Sequence, residues 1–179
     1  MVFLDGSRPK NLHFMADPTP FSEMLYRFVD RIESFLLLSL LAGTALFSFG
    51  VPQGSFVVTM ALAGLAVVFF LMAYRPPARS NVATGEKMDF MDLLGQTIIP
   101  KILWISCAIG AVGLLFRHLQ TPNNGYKELL IIQLASLSGA TLVVLGLFVV
   151  KGLASVRKLA PIYYRAIPLT LATASILME

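Results

Sequence analysis

Chemistry requires groups that titrate, attack or ligate, and this chain holds few in arrangements that would use them. Its histidines are His13 and His118, and Cys107 is its single cysteine. Glu86, Asp89 and Asp92 make the tightest acidic cluster, with the two aspartates three apart on one helical face. No His or Cys joins them, so the cluster reads as a solvated face rather than a metal site. The chain contains no P-loop, no GxGxxG and no Ser-His-Asp spacing, so neither phosphate cradling nor nucleophilic catalysis has a visible apparatus. The expectation is a protein without intrinsic catalysis, cofactor or metal.

The polar residues left to consider sit inside apolar runs: Ser39, Thr44, Ser48, Thr59, Ser106, Gln133, Ser136, Ser138 and Thr141. Gln133 stands out because hydrocarbon satisfies neither the donors nor the acceptor of its amide. It should face another helix, near Ser136 one turn on. Adhesion between helices is the favoured role, and a substrate or cofactor contact is the alternative. Small residues recur four apart at Ser39 and Gly43, Ser106 and Gly110, and Ala135 and Gly139, and Gly146 extends the last stripe. Such stripes let helix backbones approach closely, so these residues are expected to pack the bundle. Lys101, Trp104, His118, Tyr163, Tyr164 and Arg165 have the character of interfacial anchors. No charged residue falls near the middle of an apolar run, which argues against a proton relay or an ion-coupled pump.

The elements that carry these residues follow from composition. The 179 residues are 56% hydrophobic and 13% charged, against about 25% charged in a soluble domain, and the mean hydropathy is +0.76. The chain is expected to be an integral membrane protein. Its net charge of +4 forms no basic stripe with interleaved aromatics. That excludes nucleic acid as the reading and points to a membrane surface. Cys107 lies in an apolar run and says nothing about redox compartment. Acidic residues are scattered through positions 1–33, which argues against a cleavable signal and for an uncleaved anchor.

Four runs qualify as spans: 34–50, 55–74, 102–116 (extended by 93–99) and 129–150. Two uncharged or weakly charged breaks divide them. "FSFGVPQGSF" carries Pro52 and Gly54, and "FRHLQTPNNGY" carries Pro122, Asn123, Asn124 and Gly125. This is turn chemistry, and irregular backbone belongs at the membrane surface. Each break therefore joins two antiparallel spans. Twelve of the 14 Lys and Arg lie on one side: four before the first span, four between the second and third, and four after the fourth. Arg117 and Lys127 are the exceptions. By the positive-inside rule the N-terminus is cytoplasmic and both turns face outward. The hairpins resemble a parallel internal repeat, although any two membrane hairpins share such features.

The chain thus divides into a cytoplasmic N-terminal segment with an interfacial helix (1–33), a first hairpin (34–74), a cytoplasmic loop (75–97), a second hairpin (98–150) and a C-terminal segment (151–179). Thr19-Pro20 suits a helix start, after which Phe21, Leu25, Phe28, Val29 and Ile32 share one face. "EKMDFMDLLGQ" is amphipathic in the same way, with Met88, Met91 and Leu94 on one face. Residues 166–178 reach only about 20 Å as a helix and contain Pro168. They suit a short embedded or surface helix better than a fifth span. The fold class is all-α: a polytopic membrane helical bundle of four transmembrane helices in two hairpins.

The stretch "LFSFGVPQGSFVVTMALAGLAVVFFLMAYRPP" (46–77) resembles the membrane hairpin of the GldL family, inner-membrane motor proteins of gliding motility and type IX secretion. The likeness lies in the Phe47 and Pro52 turn, the Gly64-Leu65 pair and the exit Ala73-Tyr74-Arg75-Pro76-Pro77. "LLFRHLQTPNNGYKELLIIQLASL" is similar at the same turn. The resemblance implies an inner-membrane scaffold. That family carries a membrane glutamate after the glycine-leucine pair, where Ala66, Val67 and Val68 stand here. A long cytoplasmic C-terminal region is also missing from the pattern, so motor function does not follow. The expected function is a structural or interaction subunit of an inner-membrane complex, partnered by lipid and by other membrane subunits or its own copies. A small transporter or channel subunit with a polar path near Gln133 is the alternative.

Overall fold

The computed structural model describes residues 20–75, 90–120, 125–152, 157 and 159–178. Helix α1 runs Pro20–Ser48 and α2 runs Pro52–Ala73. A short α3, Phe90–Leu93, continues through a widened π turn, Leu94–Ile98, into α4, Ile99–His118. Helix α5 is Gly125–Lys151 and α6 is Ala160–Met178. The described residues contain no strand. Among the described residues, four stretches are long and apolar enough to cross a membrane: Arg27–Ser48, Pro52–Ala73, Leu94–His118 and Gly125–Lys151.

The break between α1 and α2 has a specific geometry. Gly50 adopts φ +76°, its N–H donates to Phe47 O at 3.0 Å, and the Val51 N–H donates to Leu46 O at 3.0 Å. This is a Schellman stop, whose left-handed residue is usually glycine because a Cβ is disfavoured there. Pro52 then opens α2 at a position where its missing N–H costs nothing. The two helices return in close contact. A Cβ on Gly54 would collide with the Phe47 backbone, one on Gly43 would meet Val57 and Val58, and one on Gly64 would meet Leu36. The corresponding residues 121–124 of the second break lie outside the described residues, as do Glu86, Met88, Asp89 and the N-cap candidate Thr19.

The π turn before α4 has a cause in Pro100. A proline cannot donate to the carbonyl four residues back and its ring crowds that carbonyl. The backbone widens, and the Ile99 N–H reaches Leu94 O, five residues back. The helix therefore passes through the boundary expected at residues 97 and 98.

The core lies where α2, α4, α5 and α6 meet, around Leu65, Phe69, Leu103, Ala111, Ala140 and Ala166. Helix α1 is at the edge, packed on α2. Only 11% of its most apolar window is buried, against 44% for α2 and α4. One expectation changes here. Residues 33 and 34 do not divide a surface helix from a span, because α1 passes through them unbroken. The C-terminal segment forms one helix, α6, which packs along α4 and α5 through Ile162, Ala166, Leu169 and Thr173.

Candidate functional site

Two polar clusters lie between α6 and the bundle. The first is built from Glu33 of α1. Val29, Glu33, Leu36, Leu40 and Gly43 recur at spacings of four and three, which puts them on the inward stripe of α1. Glu33 is 1% exposed. About 25 Å of helix separate it from the Gly50 turn. Its Oε1 stands 2.9 Å from Nε of Arg165 on α6, whose side chain is 34% exposed. The approach is not an aligned hydrogen bond, and neither carboxylate oxygen has a hydrogen-bond donor among the described residues. The Arg165 guanidinium also lies 5.5 Å from the centre of the Trp104 ring. One turn earlier, Asp30 reaches Arg75 at the end of α2, at 3.6 Å and half-exposed.

The second cluster is centred on Gln133 of α5, also 1% exposed. Thr173 Oγ1 of α6 lies 2.7 Å from Gln133 Oε1 and 2.9 Å from the Leu169 carbonyl. A hydroxyl has one proton for these two acceptors. With the amide turned, Nε2 donates to Thr173 Oγ1 and the hydroxyl donates to Leu169, which satisfies every contact. The amide lies flat against Gly110 of α4, where any Cβ would overlap it. Gln133 therefore meets α4 and α6, and its amide bonds to Thr173 rather than to the half-buried Ser136.

The other expected site residues scatter. Gly43 and Gly110 pack helices, and Ser106 is buried with its hydroxyl donating to Ile102 O at 2.8 Å within its own helix. Ser39 is half-buried on α1. Ala135, Gly139 and Gly146 are exposed on the outside of α5, and no atom stands within 4 Å of a Cβ built on either glycine. Their role inside this bundle is corrected accordingly: the inward face of α5 carries Leu130, Gln133, Leu137, Ala140, Val144 and Leu147. Among the anchors, Lys101 and Tyr164 are exposed. Tyr163 donates to Thr141 Oγ1 at 3.3 Å. Trp104 is not a lipid-facing anchor, because α2 and α6 cover it, with Phe69 at 5.8 Å and Arg165 above. Arg165 is a partner of Glu33. That pair was legible in part: a carboxylate falls on the apolar stripe of α1, although nothing in the sequence names its counter-ion.

At the turn end, His118 Nε2 lies 3.0 Å from Ser55 Oγ and 3.2 Å from the Ser55 carbonyl. The contact to the carbonyl is made by the Nε2–H tautomer, in which the ring donates to Ser55 and does not act as a base towards its hydroxyl. Phe47 presses edge-on against the imidazole at 5.6 Å. The cluster joins α1, α2 and α4 mechanically. Among the described residues, no group of three His, Cys, Asp or Glu is placed to hold a metal.

Comparison with protein families, characterised proteins and solved structures finds no match to this chain.

Proposed function

We propose that the protein is a structural or interaction subunit of an inner-membrane protein complex. The observation that carries this reading is the outward stripe of Ala135, Gly139 and Gly146 on α5. Lipid tails solvate leucine as well as glycine, so helix association in a bilayer depends on close backbone approach at small residues. A stripe of this kind that packs nothing among the described residues suits a neighbouring transmembrane helix. The polar groups inside the bundle support the same reading. Gln133 is closed in by Gly110 and Thr173, which disfavours a polar path for a transported substrate. The role carries no intrinsic catalysis. The charge distribution supports a cytoplasmic N-terminus, with the turn end facing outward.

The test is a photo-reactive amino acid placed at Leu142, between the two glycines on the exposed side of α5, and at Phe70 of α2 as a control. In native membranes the Leu142 probe should give a discrete protein adduct, and the added substitution Gly139→Leu should abolish it. Lipid adducts alone at both positions would remove the support for a subunit.

A further inference from the structure

We propose that Glu33 is a proton-binding site, and that the end of α6 carrying Arg165 moves with its occupancy. Three observations converge on it. The carboxylate is 1% exposed, its oxygens accept no hydrogen bond among the described residues, and among those residues one cation approaches it, Arg165, through Nε rather than through a two-pronged guanidinium face. A buried carboxylate is ordinarily held ionised by several donors. Here Oε2 lacks any, which leaves it the place for a proton. A metal ion suits the site less well, since one carboxylate supplies too few ligands and the adjacent guanidinium repels a second cation.

The groups around Glu33 can accommodate the change. Asp30, on the same helix, is half-exposed and engaged with Arg75 of α2. From α4, Cys107 lies within electrostatic reach of Glu33 and Trp104 meets the guanidinium, and α6 contributes Arg165. One proton from water at the Arg165 end forms an O–H bond on the carboxylate, and the pair passes from neutral to a single positive charge on the guanidinium. That charge is not stranded. Arg165 is 34% exposed and already rests over the Trp104 ring, which attracts a cation without needing a carboxylate. The link from α6 to α1 is then lost. The Thr173 contact to Gln133 and the apolar seam on α4 and α5 remain, so the movement is confined to the Arg165 end. Towards the turn end the next titratable groups are Cys107 and then His118, which makes this a one-sided sensor of proton activity and not a route across the membrane.

The test uses the full chain in lipid nanodiscs. Infrared difference spectra are recorded on stepping from about pH 8 to about pH 5. In parallel, spin labels at Phe35→Cys and Tyr164→Cys, in a Cys107→Ala background, report the distance between α1 and α6. The wild type should gain a protonated-carboxyl band that Glu33→Gln lacks and Glu33→Asp displaces. Its label distance should lengthen on acidification, while Glu33→Gln should hold the longer distance at every pH. Identical difference spectra in wild type and Glu33→Gln would overturn the proposal. So would a label distance that responds to pH equally in both. Should Glu33→Gln fail to fold, Arg165→Met serves instead: its carboxyl band should already be present near pH 8, and absence of that band would be equally decisive against it.

Discussion

Gln133 is a costly residue to bury in a bilayer, and its surroundings explain how it is tolerated. Gly110 gives the amide a flat backbone to lie on, and Thr173 supplies its polar partner. Adding one methyl at Gly110 would displace the amide and leave two buried polar groups unpaired. Gly110→Ala should lower stability by about 2 kcal/mol, read as a lower Tm in detergent. Gly110→Ala combined with Gln133→Ala should recover part of that loss, because the collision is gone. Equal Tm values for Gly110→Ala and wild type would mean that the amide does not lie on α4. The charge pair offers a second, asymmetric test. Arg165→Ala leaves an enclosed carboxylate without its cation and should cost about 3 kcal/mol. Glu33→Gln leaves an arginine that is 34% exposed and held over Trp104, so its Tm should fall less. The reverse order would show that Arg165, not Glu33, is the group that depends on the pair.

At the scale of elements, glycines decide which helices touch. Gly43, Gly54 and Gly64 bring α1 and α2 together, and Gly110 and Gly113 bring α5 onto α4, with Leu130 filling the space over Gly113. Gly139 and Gly146 have open space beyond them. The same substitution should therefore behave differently at two sites. Gly43→Leu should destabilise the purified chain, since an isobutyl group has no room beside Val57 and Val58. Gly139→Leu should leave the Tm of the isolated chain within about 0.5 kcal/mol of wild type in effect, while weakening association in native membranes. A large loss of Tm for Gly139→Leu without any partner present would place that glycine inside the bundle.

For the whole molecule, α6 is the element that closes the bundle. Its two polar contacts are spread along its length, with Arg165 on Glu33 of the first helix and Thr173 on Gln133, about 12 Å along α5 from Gly125. A helix less apolar than the four candidate spans, with Pro168 inside it, is thereby held against them. The orientation proposed from charge has a direct test. In a Cys107→Ala background, a cysteine at Gln53 should react with an impermeant maleimide added to intact cells, and one at Ser80 should react only after the cells are opened. Labelling of Ser80 alone would invert the topology.

What the residues determined by themselves is the set of elements. Long charge-free runs can only be helices in a bilayer, because no other open structure satisfies every backbone group within the segment. Glycine and proline at 50, 52 and 54 end one helix and start the next by local sterics, which need no tertiary partner. The four spans and the first turn were legible for that reason. Tertiary structure decided which face of each helix is inside. The stripe at Ala135, Gly139 and Gly146 and the stripe at Gly110 and Gly113 look alike along the chain, yet one faces outward and the other packs. In a membrane both faces of a helix are apolar, so periodicity does not tell core from lipid. The pairing of Glu33 with Arg165 was hidden for a related reason. The two residues are far apart in sequence and each borders an apolar run, where a charge ordinarily reaches the interface. Only the fold, which brings Arg165 of α6 to within 2.9 Å of Glu33, turns two distant charges into a pair.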